Sequence, residues 1–254
     1  MTENSKPLIL NCYTTDAIVY NNAKINHATK FMPGWFKKTP NEVEYEDGRM
    51  VGSIKNCHGL TEMYRTAIVI PCWTEFTLDI LHKDDEEVYR WTTAKRDFKV
   101  EGHPVEQYQK FAGKDGTSIK LVSPWMFQCD EKVNFVWHQP TWNTRDILDK
   151  LTILPAVMDF NTQHATEINY FIVRRDFERQ VVLKALEPLV MLHAMDDRKV
   201  EIKNHLITEE EKVTRFAWHF ELGGTSMEGI ASRANRSNRI ALQKHIEYLN
   251  SEEE

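Results

Sequence analysis

Catalytic chemistry would be legible first in the spacing of histidines, cysteines and carboxylates. The chain offers ten histidines, four cysteines and 38 acidic residues. Its H-x-D run is His82-Lys83-Asp84. With a distant third ligand, His164 or His193, that pattern would make the facial triad of a non-haem iron enzyme on a double-stranded β-helix, a cupin-like fold. The acidic run that follows directly is also what a solvated hairpin turn looks like. Cys57-His58, Cys72 and Cys129 bring together the thiolate and imidazole ligands that Zn²⁺ favours, but without the short paired spacing of structural zinc sites. Buried thiols in a packed core account for them equally well. No catalytic residue, metal ligand or cofactor is therefore assigned from these groups.

Binding chemistry has two further candidates. Trp35, Phe36, Trp73, Trp91, Trp125, Phe127, Trp137 and Trp142 supply flat apolar surface for stacking, although a large β core uses the same residues as filling. Arg233, Arg236 and Arg239 recur at three-residue spacing and make a basic stripe suited to an acidic partner or to phosphate. Lys37-Lys38 after Trp35-Phe36 suits an interface anchor, or simply a turn beside Pro33-Gly34. The P-loop, G-x-G-x-x-G, H-E-x-x-H, G-x-S-x-G and C-x-x-C patterns are all absent.

The elements that would position these residues are mostly strands. Phe76, Leu78 and Ile80 alternate with Thr77 and Asp79, and Val133, Phe135 and Trp137 alternate with Asn134 and Val136, the period-2 pattern of half-buried strands. Further strands are expected at 8–13, 18–20, 67–70, 119–122, 166–173, 181–184, 189–194 and 199–203. Gaps between them, such as HKDDEE and GKDG, are too short for the helical crossovers of a parallel sheet. Small helices are expected at 59–65 and 104–110. Thr208 and Glu211 have capping-box spacing before Val213, Phe216, Ala217 and Phe220, and a second helical pattern runs from Met227 to Leu249. The fold expected is mainly β (α+β): an antiparallel β-sandwich or jelly-roll-like open barrel over residues 1–207, with two C-terminal helices in 208–254.

Composition sets the remaining bounds. With 41% hydrophobic residues and seven tryptophans in 254 positions, the chain has ample material for a core. No run approaches a membrane span or a secretory leader, so a cytoplasmic protein with free thiols and no membrane association is expected. The net charge of −6 makes nucleic acid an unfavourable partner.

Phe31–Pro40 (FMPGWFKKTP), Ile54–Ile80, Ser123–Phe127 (SPWMF), His164–Val173 and Leu183–Ile207 together resemble an uncharacterised family of large contractile-tailed bacteriophages, including those of marine cyanobacteria. The resemblance covers most of the chain. It implies a phage origin and a β-rich body, located in the host cytoplasm or the virion, and brings no site residues with it. Lys184–Met195 is also similar to a strand-turn-strand of dUTPase-like and cupin-like folds, with Leu186 where such a turn prefers glycine. The expected role is non-catalytic protein–protein contact as a virion structural or assembly component, with homo-oligomerisation, other phage subunits as partners, or a host protein bound during infection. The alternative is the cupin-like iron enzyme.

Overall fold

The computed structural model describes residues 6–83, 86–94, 98–102, 117–143, 151–172 and 179–221. Its organising element is a five-stranded antiparallel sheet. In spatial order it contains β13 (Ala156–Asp159), β11 (Asn134–His138), β16 (Pro188–Ala194), β5 (Ile68–Pro71) and β2 (Asn26–His27). The run IVIP of β5 is apolar throughout because both faces of this sheet are covered. Ile68, Ile70, Phe135, Trp137, Val190 and Leu192 enter the main core, whereas Val69 and Met191 join a separate cluster on the opposite face.

Three further sheets contribute to the main core. The first orders β10 (Met126–Gln128), β1 (Leu8–Thr14) and β17 (Val200–Leu206). The second orders β12 (Leu151–Ile153), β14 (Ile168–Ile172), β9 (Thr117–Leu121) and β8 (Val100–Gly102). The third joins β15 (Arg179–Leu183), β6 (Phe76–Lys83) and β7 (Glu86–Thr93). The protein is thus mainly β, with several antiparallel sheets that form no closed barrel among the described residues, in keeping with a sandwich-like α+β fold.

Several expectations need correction. Ile18–Tyr20 lies not in a strand but in α1 (Ala17–Asn22), because Asp16 accepts from the amides of Ile18 and Val19 at 2.9 and 3.1 Å and so caps a helical first turn. Local capping overrides the β propensity of Ile-Val-Tyr. The HKDDEE segment does not simply separate strands: β6 and β7 pair from Phe76 opposite Thr93 to Lys83 opposite Glu86. The expected helix at 104–110 and the pattern from Met227 to Leu249 lie outside the described residues.

The one parallel pair among the described residues joins β1 to β17 in register from Leu8–Val200 to Thr14–Leu206. Gap lengths gave no sign of it, since these strands are far apart in sequence. Along the outer edge of β17, the side-chain amide of Asn204 donates to Ile25 O and accepts from Ile25 N, both at 3.0 Å. It thereby occupies backbone groups of the neighbouring segment as a strand would.

The capping box forms as its spacing implies. Thr208 N donates to Glu211 Oε2 at 2.7 Å and Glu211 N to Thr208 Oγ1 at 3.1 Å, opening α4 (Glu209–Glu221). Phe216 of this helix is buried against Tyr13 and His164, but Val213 faces solvent, so the apolar stripe is narrower than its periodicity suggests. A non-helical φ of −120° at Phe216 breaks the helical phase there.

Candidate interaction face

Between β2 and β5 the chain makes a long excursion. It leaves the sheet at His27 and returns at Ile68, yet His27 and Ile68 are directly paired and Ala28 N donates to Ala67 O at 2.9 Å. A tight turn would have closed that antiparallel pair. Instead, residues 28–67 build a cap over the second face of the central sheet, comprising α2 (Gly34–Lys38), the hairpin β3 (Glu42–Glu44) and β4 (Met50–Gly52), and α3 (His58–Thr66).

The cap has its own small core. Ala28, Phe36, Leu60, Tyr64 and Ala67 pack on Val69 and Met191 of the sheet. Tethers come from the segment after β11. Asn143 Nδ2 donates to Phe31 O at 2.7 Å, and Asn143 Oδ1 accepts from the Tyr64 hydroxyl at 2.7 Å. Burial pushes the Tyr64 phenol up to about 12, so it stays protonated and remains a donor. Trp35 Nε1 donates to Trp142 O at 3.2 Å, and the two indoles lie 5.9 Å apart. Trp73, Trp125, Trp137, Phe36 and Phe127 are core residues, whereas Trp35 and Trp142 each keep 42% of their surface exposed. Those two were not distinguishable from filling in the alternation pattern, because neither lies in a strand.

The hairpin projects from this cap. Residues 40–50 are exposed throughout, with Tyr45 and Met50 each 58% exposed. Gly48 adopts φ +81° and donates to Tyr45 O, while Tyr45 N donates to Arg49 O. This is the three-residue hairpin loop that ends in a left-handed glycine. The Asp47-Gly48 dipeptide between Val43 and Val51 is a turn signal that the strand expectations left unused. Two strands without a third layer are marginal alone. Lys37 and Lys38 close α2 rather than a turn, and Lys55 donates to the carbonyls of Lys37 and Thr39, which places a basic rim beside Trp35.

The metal candidates do not converge. His82 sits on β6, in a different sheet from His193, and Asp84 lies outside the described residues. His164 is buried, with Nδ1 2.8 Å from Phe127 O and its ring 5.0 Å from Phe216. Cys12, Cys72 and Cys129 are buried, whereas Cys57 is exposed at the start of α3. Among the described residues, no group of three or more His, Cys, Asp or Glu is placed to hold a metal ion. Arg233, Arg236 and Arg239 lie outside the described residues.

Apart from the cap, a cleft of about 780 Å³ opens between the β1–α1 turn, Phe98–Lys99, Ser123–Trp125 and the start of α4. Its carboxylates are already engaged: Asp16 caps α1, Glu209 accepts from Thr15 and Lys212, and Glu167 pairs with Lys120. No described helix is long and apolar enough to cross a membrane. A multi-sheet β body carrying a helical cap with exposed indoles defines the class of this protein structurally. No family model matches the chain, and no curated protein is significantly similar to it.

Proposed function

We propose that this protein acts by protein–protein contact through the cap at residues 28–67, as a structural or assembly component of a bacteriophage particle. The observation that carries the contact reading is the excursion itself. It starts and ends at one directly paired ladder position, adds nothing to the sheet connection, and displays Trp35, Tyr45 and Met50 together with Lys37 and Lys38, with Trp142 of the segment after β11 set beside Trp35. Exposed tryptophan and tyrosine beside a polar rim is the composition of contact hot spots. Phage assignment rests on the resemblance of Phe31–Pro40, Ser123–Phe127 and the other quoted segments.

The test is chemical cross-linking with mass spectrometry on purified particles. Stoichiometric presence of the chain, with cross-links from Lys37, Lys38 or Lys55 to another protein or to a second copy, is the expected result. Presence in infected cells and absence from particles would redirect the reading to a host target. Replacing Trp35 and Trp142 by alanine is expected to weaken the contact at least tenfold, an effect of about 1.4 kcal/mol or more.

A further inference from the structure

His138 on β11 and His193 on β16 lie on the cap-facing side of the central sheet, where His138 pairs with Met191 and Val136 with His193. His138 Nε2 and His193 Nδ1 are 3.1 Å apart, and the ring planes differ by 14°. The centroids are 5.1 Å apart, longer than the nitrogen separation by about the sum of two ring radii. These rings therefore meet edge to edge, nitrogen facing nitrogen, and not face to face.

Each outer nitrogen meets a backbone carbonyl. His138 Nδ1 is 3.0 Å from Gln139 O, and His193 Nε2 is 3.2 Å from Met63 O at the cap helix α3. A carbonyl only accepts, so both outer nitrogens carry N–H. A neutral imidazole has one proton, which leaves both facing nitrogens as bare acceptors at hydrogen-bond distance. All three contacts are satisfied only by a third proton between the rings.

We propose that His138 and His193 share one proton and form a pH-sensitive clasp that holds the cap on the sheet; this deepens the contact-face reading and depends on it only for its functional consequence. The clasp sits at both tethers. His193 reaches α3 directly, and His138 begins the segment whose Trp142 and Asn143 bind Trp35, Phe31 and Tyr64.

The charge surroundings are sparse among the described residues. On the face that carries the pair, β5 presents apolar Val69 and β13 presents Val157, opposite Val136 of β11. From α3 the ionisable residues are His58, Glu62, Tyr64 and Arg65, of which Glu62 and Arg65 are bonded to each other and the Tyr64 phenol stays protonated. The charge that acts on His193 is that of His138. Uptake of one more proton from solvent puts N–H on both facing nitrogens. Two donors and two positive charges then oppose each other, and the clasp opens.

Side-chain and backbone ¹H–¹⁵N NMR of the full chain, titrated from pH 7.5 to 4.5, tests this. The expected result is Nδ1–H on His138, Nε2–H on His193, and two rings titrating with linked midpoints. The amides of α3 and the indole signals of Trp35 and Trp142 should shift with the lower midpoint. In His138→Gln an amide N–H replaces the shared proton as donor to His193 Nδ1, so the cap transition at that midpoint should vanish. His193→Asn, whose amide oxygen can accept from His138 Nε2–H, serves the same purpose should the first variant not fold. Unlinked titration of the two rings in the wild-type chain, or linked titration with α3 and both indoles unmoved, overturns the proposal. Every signal is read on the free chain, so a clasp without a partner and a partner without a clasp are separate results.

Discussion

Asn143 accepts a 2.7 Å hydrogen bond from the hydroxyl of Tyr64, a residue 79 positions earlier and wholly buried in the cap core. The same amide donates to Phe31 O at 2.7 Å, so one side chain joins both ends of the cap to the central sheet. Replacing Asn143 with alanine strands a buried hydroxyl and a carbonyl, which costs about 2 kcal/mol. A lower urea midpoint with an unchanged denaturant slope is the expected outcome. No change in midpoint would show that the tether contributes nothing net.

Proton uptake beyond the one that His138 and His193 share should lower stability between pH 7.5 and 5.5. Burial first, then His138, holds His193 below its ordinary 6.5. Burial followed by Lys199 and Lys30 does the same for His27, and burial followed by Arg215 and Lys203 for His205. A histidine whose folded value is depressed stabilises the fold while neutral, and that contribution drains away as pH falls from the unfolded value through the folded one. Asp79, Asp196, Glu62 and Glu209 are shifted down from carboxylate values near 4, so they stay ionised across this window. Urea unfolding at the two pH values checks the sign; a higher midpoint at pH 5.5 contradicts it.

Leu186 adopts φ +70° in the turn between β15 and β16. The glycine-like conformation is present although the residue is leucine, and the turn is held by Leu186 N to Cys72 O and Cys72 N to Glu187 O, both at 2.8 Å. Half of the side chain is exposed, so little packing would be lost. Leu186→Gly is expected to stabilise the protein by about 0.5–1 kcal/mol, because relief of left-handed strain outweighs the added unfolded-state entropy. A raised Tm measures this, and a lowered one rejects it.

Thiol reactivity should be confined to one position. Burial pushes Cys72 up to about 12 and raises Cys12 and Cys129, whereas Cys57 is exposed. An aromatic disulfide reagent should label one thiol rapidly in the native protein and four in denaturant. Cys57→Ser should remove the fast phase alone.

Much of the β body was legible because alternation is local. Phe135 and Trp137 enter the core as their period implies, and Thr208 with Glu211 announced α4. Misread segments have local reasons as well. Asp16 converts a β-prone triplet into α1, and the charges beside His82 conceal the start of β7. The candidate face was only partly visible: Trp35 and Lys37-Lys38 stood out, but nothing marked Trp142 as their neighbour or His138 as the partner of His193.

Taken by itself, the sequence determined several of the extended segments, such as those around Phe76 and Phe135, which of their residues have the period of a buried face, and where α4 begins, since these follow from interactions spanning a few residues. Only the tertiary structure decided that β1 runs parallel to β17, that residues 28–67 leave and rejoin the sheet at one ladder position, and that two histidines 55 positions apart face each other. Those relationships depend on which distant segments share a core, and side-chain periodicity carries the face a residue occupies but not the strand that lies beside it.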